Sequence, residues 1–207
     1  MSYKTLAAPA EAEFIEKKSR FIGYISPVQN EQEAIDFINK IRAMHRKATH
    51  NCYAYILRDN NISRHSDDGE PSGTAGVPIY EVLRKEGLTD VCCVVTRYFG
   101  GILLGAGGLV RAYSKGAKIA IDAAQIKDMC MAERLRITLD YGLYGRIGAL
   151  LAQHGFRSEN EDFAADVSIT GVLRQENAEA FTAELVDLCN GRVAIDSLEV
   201  MEYDFGG

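Results

Sequence analysis

Two stretches of this chain carry residue types that could do chemistry. The first is Ser66-Asp67-Asp68-Gly69-Glu70-Pro71-Ser72-Gly73-Thr74-Ala75-Gly76, where three carboxylates fall within four residues beside three glycines. Carboxylate oxygens are the ligands that Mg²⁺ or Ca²⁺ prefers, but the spacing is not that of the twelve-residue calcium loop. Pro71 biases Glu70 toward an extended conformation and Gly69 permits positive φ, so the segment reads as a shaped polar loop. Three readings stay open for it. One is a turn at Asp68-Gly69 followed by a helix capped by Ser72 or Thr74. Another is a protein or RNA contact made by Ser66, Asp67, Asp68, Gly69, Glu70, Pro71, Ser72, Gly73 and Thr74. The third is a metal site, which lacks an evident fourth ligand, so no metal is expected. The second stretch runs from Arg97 to Arg111 and holds Gly100, Gly101, Gly105, Gly107 and Gly108. Backbone N–H groups at a glycine-lined helix N-terminus make an anion site. The spacing is neither GxGxxG nor a P-loop, because no Gly-Lys-Ser/Thr follows. The competing reading is tight strand–helix packing that needs small residues.

Basic residues surround the second stretch. Val110, Tyr113, Ala117, Ala120, Ile121 and Ala124 recur at helical spacing and must face a core. Arg111, Lys115 and Lys118 then form another stripe of the same helix. No acid occurs between Asp90 and Asp122, nor between Asp36 and Asp59, a window holding Lys40, Arg42, His45, Arg46, Lys47, His50 and Arg58. Together the windows could build a phosphate-binding face, although either alone reads as a solvated helix face. The candidate nucleic-acid or anion contacts are Arg97, Gly100, Gly101, Gly105, Gly107, Gly108, Arg111, Lys115 and Lys118. A nucleophile dyad of Cys52 with His50 or His65 is conceivable, but a strand cysteine is usually a small core residue. No catalytic residue is therefore assigned. Tyr53, Tyr55, Tyr98 and Phe99 could stack on bases, though aromatic residues in strands more often serve the core.

The elements that must position these residues are mixed. Phe14–Ile15 and Phe21–Val28 read as strands with a polar break at Lys17-Lys18-Ser19-Arg20. A helix follows over about 31–45 and a short strand at Cys52–Leu57. Val77–Gly87 reads as a helix with Pro78 in its tolerant first turn. Val91–Val95 is an unbroken apolar run, as expected of a buried central strand. The glycine-rich stretch and a long helix to about Ala124 come next, and Gln125–Ala132 reads as a linker between domains at 1–128 and 132–207. Past it, Arg134–Tyr141 alternates as a strand, and Leu143, Ile147, Leu150 and Leu151 mark a helix closed by Gly155. Phe156–Glu161 and Phe163–Leu173 follow as strands, then a helix through Ala178, Phe181 and Leu185, then a strand over Val193–Tyr203. The order βαββαβ is the ferredoxin-like plan, so the fold class is α+β.

Composition excludes several classes. No segment approaches the roughly 20 apolar residues that span a bilayer, and Glu11 and Glu13 stand where a signal peptide needs an apolar core. The five cysteines form no CxxC pair, so a reduced, cytoplasmic protein is expected without disulfides or zinc. The net charge of −6 hides a split: residues 1–128 carry 17 Lys+Arg against 15 Asp+Glu, and residues 129–207 carry 6 against 14. Such asymmetry suggests separate roles.

Lys18-Ser19-Arg20-Phe21, Ser66–Gly76 and Arg97-Tyr98-Phe99-Gly100-Gly101-Ile102-Leu103-Leu104-Gly105 together resemble the bacterial YigZ branch of the IMPACT family. The resemblance extends over nearly the whole chain. It implies an N-terminal domain similar to domain IV of elongation factor G, with a fold shared by a small-subunit ribosomal protein and certain small-molecule kinases. It implies a ferredoxin-like C-terminal domain similar to domain V of that factor. It further implies that eukaryotic relatives act in translational control, by binding the co-activator of the amino-acid-starvation kinase. The kinases of this fold use a glycine-serine phosphate loop, whereas no Ser or Thr lies between Gly100 and Tyr113. ATP chemistry is therefore not expected, nor any cofactor. The function expected is a non-enzymatic translation-associated regulator contacting RNA or the ribosome through its N-terminal domain. The alternatives are a protein-binding regulator docking through Ser66–Gly76, and an enzyme acting on a phosphorylated small molecule. No membrane partner is expected.

Overall fold

A computed structural model describes residues 2–206 of the chain. It divides into two compact units, Tyr3–Asp128 and Met129–Phe205. Both are α+β.

In the first unit, β1 (Tyr3–Leu6) precedes the hairpin of β2 (Ala10–Glu16) and β3 (Ser19–Pro27). The hairpin turns at Lys17 and Lys18, both with positive φ (44° and 65°). Helix α1 (Glu31–Met44) follows, then β4 (His50–Ile56), a 3₁₀ turn and β5 (Ser63–Ser66). Next come α2 (Gly76–Lys85), β6 (Val91–Tyr98) and α3 (Ala106–Asp122). The strands pair antiparallel in the order β2-β3-β6-β4-β5. Side chains alternate across a strand, which sorts β3 and β6 between two cores. Ile22, Tyr24, Cys92 and Val94 pack with α1. Phe21, Ile25, Cys93 and Val95 pack with α2 and α3. Burial on both faces explains why Val91–Val95 reads as an unbroken apolar run.

The strand β7 (Ile126–Leu139) corrects the expected linker, since Gln125–Ala132 lies almost wholly within it. The second unit continues with α4 (Tyr141–Gln153), β8 (Arg157–Phe163), β9 (Val167–Arg174), α5 (Gln175–Leu188) and β10 (Val193–Asp204). Phe163 ends β8 instead of opening β9, and the acidic turn is Ala164–Asp166. The strands lie in the order β10-β7-β9-β8, all antiparallel. That is the βαββαβ plan, with the first and third strands in the middle. Its core joins Leu135, Ile137 and Leu139 to Ile147 of α4 and Phe181 of α5. All five cysteines are buried, and none forms a disulfide.

Candidate functional site

The Ser66–Gly76 loop is built around its own carboxylates. Left-handed backbone at Asp68 (φ 44°) and Gly69 (φ 89°) reverses the chain, and the Glu70 N–H closes the turn on the Asp67 carbonyl at 2.9 Å. The Asp67 carboxylate then accepts from the N–H groups of Gly73 (2.8 Å), Ala75 (3.0 Å) and Gly76 (2.8 Å). Ala75 and Gly76 open α2, so the cap of that helix is Asp67 and not the expected Ser72 or Thr74. Thr74 instead donates to the Pro71 carbonyl at 2.6 Å, and Ser72 is exposed. Burial alone would raise the Asp67 pKa, but the three N–H donors outweigh it and hold the carboxyl below its ordinary value.

Truncation of this cap is measurable. Asp67→Ala strands backbone donors, and chemical denaturation should register a loss of about 2–4 kcal/mol. The folded pKa is depressed, so the carboxylate's contribution is complete above the unfolded value and is lost as pH falls through the folded one. The stability gap between wild type and Asp67→Asn should therefore narrow on acidification below about pH 4. A gap independent of pH would refute a role for the charge.

Asp68 is held as firmly. Its carboxylate accepts from Arg42 Nη2 and from the Asn51 N–H, each at 2.7 Å, and its carbonyl lies 2.8 Å from His50 Nδ1. Glu70 turns inward and is 8% exposed, while Arg97 of β6 is 5% exposed. Arg97 Nη1 donates to Glu70 Oε1 at 2.6 Å, and the Tyr113 hydroxyl of α3 donates to the same oxygen at 2.7 Å. The guanidinium lies between the rings of Phe21 and Phe99, 5.5 Å and 5.4 Å from their centroids. Burial is the main force pushing the Tyr113 and Cys52 pKa values upward. The Cys52 thiol donates to the Asp67 carbonyl at 2.9 Å, the setting of an inert core thiol.

These contacts correct part of the expected basic face. Arg97 is an internal ion pair and not a surface contact. Lys118 is neutralised by Glu86 at 2.9 Å and Asp122 at 2.7 Å. In the other window, Arg42 is tied to Asp68 and Arg58 to Asp90. Arg111 and Lys115 remain exposed and make no ion pair among the described residues. Lys115 Nζ sits 4.4 Å from the Phe14 ring centroid. With Phe14, Glu16, Lys17, Leu104 and Gly108 they line a hollow of about 260 Å³. Lys17 escaped sequence reasoning, although the Lys17-Lys18 pair between two strands was the available signal.

The glycines divide between the two readings. A Cβ on Gly100 would lie 2.0 Å from the Lys18 carbonyl, and its N–H donates to Ser19 Oγ at 3.1 Å. Chain packing, not a ligand, requires that glycine. Gly101 and Gly105 have positive φ (82° and 69°) with open space about them, and Gly107 and Gly108 meet only Arg111 and Leu104. Helix α3 starts there with no side-chain cap and no acid in its first turn. On its other side, Thr49, His50, Glu70, Arg97, Phe99 and Leu103 help to line a second hollow of about 400 Å³, and Leu104 borders both.

The Impact N-terminal domain model matches residues 17–121, a segment that contains both hollows except Phe14 and Glu16. Over 200 residues the chain is 41% identical to the IMPACT family member YvyE of Bacillus subtilis, covering 96% of this chain and 92% of that protein. The chain belongs to the IMPACT family. It is also 34% identical to the IMPACT family member YigZ of Escherichia coli, over 93% of this chain and 96% of that one. A domain of unknown function, DUF1949, matches residues 137–192. A crystal structure described only as that of a hypothetical protein superposes with a TM-score of 0.58 at 35% identity, covering 96% of this chain and 98% of that chain. In IMPACT terms, the buried Glu70–Arg97–Tyr113 cluster and the exposed start of α3 both belong to the Impact N-terminal domain.

Proposed function

We propose that this IMPACT-family chain is a non-enzymatic, cytoplasmic, translation-associated factor that contacts RNA or the ribosome through its first unit. The observation that carries the reading is the hollow along the first three turns of α3, which Lys17, Arg111 and Lys115 line together with Gly108 of the uncapped first turn. Cations and free backbone N–H groups together suit a phosphate. Glu16 is the one acid in its lining. The translational role that the family resemblance implies for eukaryotic relatives supports the same reading. Asp67 and Asp68 are satisfied within the protein, which disfavours the alternative of a metal-dependent enzyme. The protein-docking alternative moves away from the Ser66–Gly76 loop, whose acids are engaged. It shifts to Phe99, Ile102 and Leu103, which are 46%, 40% and 82% exposed.

Ribosome co-sedimentation of the wild type beside Arg111→Glu/Lys115→Glu tests the proposal. Neutralised phosphates contribute close to one unit each to the log–log salt slope, so the variant should lose roughly two units of slope and most of its affinity at low salt. Binding of the variant equal to wild type removes this surface from consideration. Partner capture that survives high salt and depends on Leu103 favours the protein-docking reading.

A further inference from the structure

We infer that the hollow of about 400 Å³ beside the start of α3 is a nucleobase site that selects bases carrying an exocyclic amino group. The inference rests on the RNA-binding reading above and deepens it.

The selecting groups are Glu70 and His50. Glu70 Oε1 already takes hydrogen bonds from Arg97 and Tyr113. Its Oε2 makes none among the described residues, and meets His50 Nε2 at 3.8 Å, beyond hydrogen-bond reach. His50 Nδ1 faces the Asp68 carbonyl at 2.8 Å. A carbonyl can only accept, so Nδ1 carries a proton, and in the neutral form of the ring Nε2 is a bare acceptor. Two acceptors thus confront each other in the lining of one hollow, and neither has a donor. An –NH₂ nitrogen placed between them gives one hydrogen to each. A carbonyl in that place would be repelled by both. Arg97 lines the same hollow and holds Glu70 in place through Oε1. Phe99 and Leu103 supply an exposed aromatic and aliphatic wall for the base. Gly105 and Ala106 bring the uncapped start of α3 to the edge of the hollow, where a backbone phosphate would meet it.

Cytosine and uracil isolate the amino group, since cytosine carries a donor at the position where uracil carries a carbonyl. Fluorescence anisotropy with labelled oligo-C and oligo-U of equal length, at one salt concentration, should show oligo-C bound roughly tenfold tighter. In Glu70→Gln the carbonyl oxygen must serve Arg97 and Tyr113, so the amide –NH₂ turns into the hollow. The preference should then vanish or reverse, with oligo-U affinity undiminished. Phe99→Ala, at an exposed position, should weaken both oligonucleotides roughly tenfold. If Glu70→Gln does not fold, the wild-type comparison decides alone. Equal wild-type affinity for oligo-C and oligo-U overturns the base site and leaves the RNA-binding reading intact. Free CMP and UMP form the second arm, read by NMR shifts at His50 and Phe99. Selective perturbation by CMP without oligonucleotide binding makes the source a free nucleotide and removes the RNA reading. A response to neither arm overturns both.

Discussion

Truncating Glu70 to alanine should cost about 3–5 kcal/mol of stability, because Arg97 would keep its charge in a buried site with no counter-ion. Among the described residues the carboxylate is the only acid that Arg97 meets, at 2.6 Å, and both side chains are nearly sealed from solvent (6% and 4% exposed). The Tyr113 hydroxyl would lose its acceptor in the same step, leaving a second unsatisfied polar group. Removing both charges is a different matter. A Glu70→Leu/Arg97→Met pair replaces the ions by apolar groups of similar bulk, which is often neutral or stabilising. The double variant should therefore be more stable than Glu70→Ala by at least about 2 kcal/mol. Urea titration of both variants against wild type reads this directly. A Glu70→Ala protein within about 1 kcal/mol of wild type would mean that water reaches the pair and screens it.

A methyl group at Gly23 should be nearly as damaging. The glycine lies on β3, and a Cβ there would stand 2.1 Å from the Gly116 carbonyl oxygen of α3. The obstacle is backbone, so the helix must move off the sheet across its whole buried face, at an expected cost of at least about 3 kcal/mol. Gly116→Ala addresses the same contact from the helix side with a milder outcome. Its Cβ would meet Val95 Cγ1 at 2.7 Å, a clash with one buried side chain and not with backbone. Alanine also recovers about 1 kcal/mol of helix propensity. Thermal denaturation should rank Gly23→Ala well below Gly116→Ala, and the reverse order would show that α3 tolerates displacement from the sheet.

The parts of this fold written in local periodicity were legible in the sequence. The apolar spacing of α1, α3, α4 and α5 and the alternation of β7 past Arg134 follow from one helix face or one strand face being buried. Elements lacking that signal were missed. β5 is four residues with a largely exposed pattern, and the start of β7 mixes Lys127 and Asp128 into its alternation, which imitates a linker. The site was half legible. The loop and the glycine stretch stood out by composition, but their partnerships are made in space. Counting acids along the chain left Arg97 and Lys118 unneutralised, whereas Glu70 and Glu86 reach them from 27 and 32 positions away. One clue was available: Arg97 extends an apolar run buried on both faces, where a charge needs a counter-ion. His50 gave no such clue, because its role depends on the Asp68 carbonyl opposite its ring.

The burial of every thiol turns the chain into a record of its own opening. Thiolate is the reactive form, and desolvation pushes the Cys93 thiol up to about 12 and raises those of Cys52, Cys92 and Cys189 as well. Cys52, Cys92, Cys93 and Cys189 are therefore closed to an alkylating reagent in the folded molecule, and their rate of modification measures how often the interior is exposed. Cys52, Cys92 and Cys93 lie in the first unit, and Cys130 and Cys189 in the second. Each half thus carries its own chemical timer, and peptide-resolved alkylation separates the unfolding of one from the unfolding of the other without an introduced cysteine.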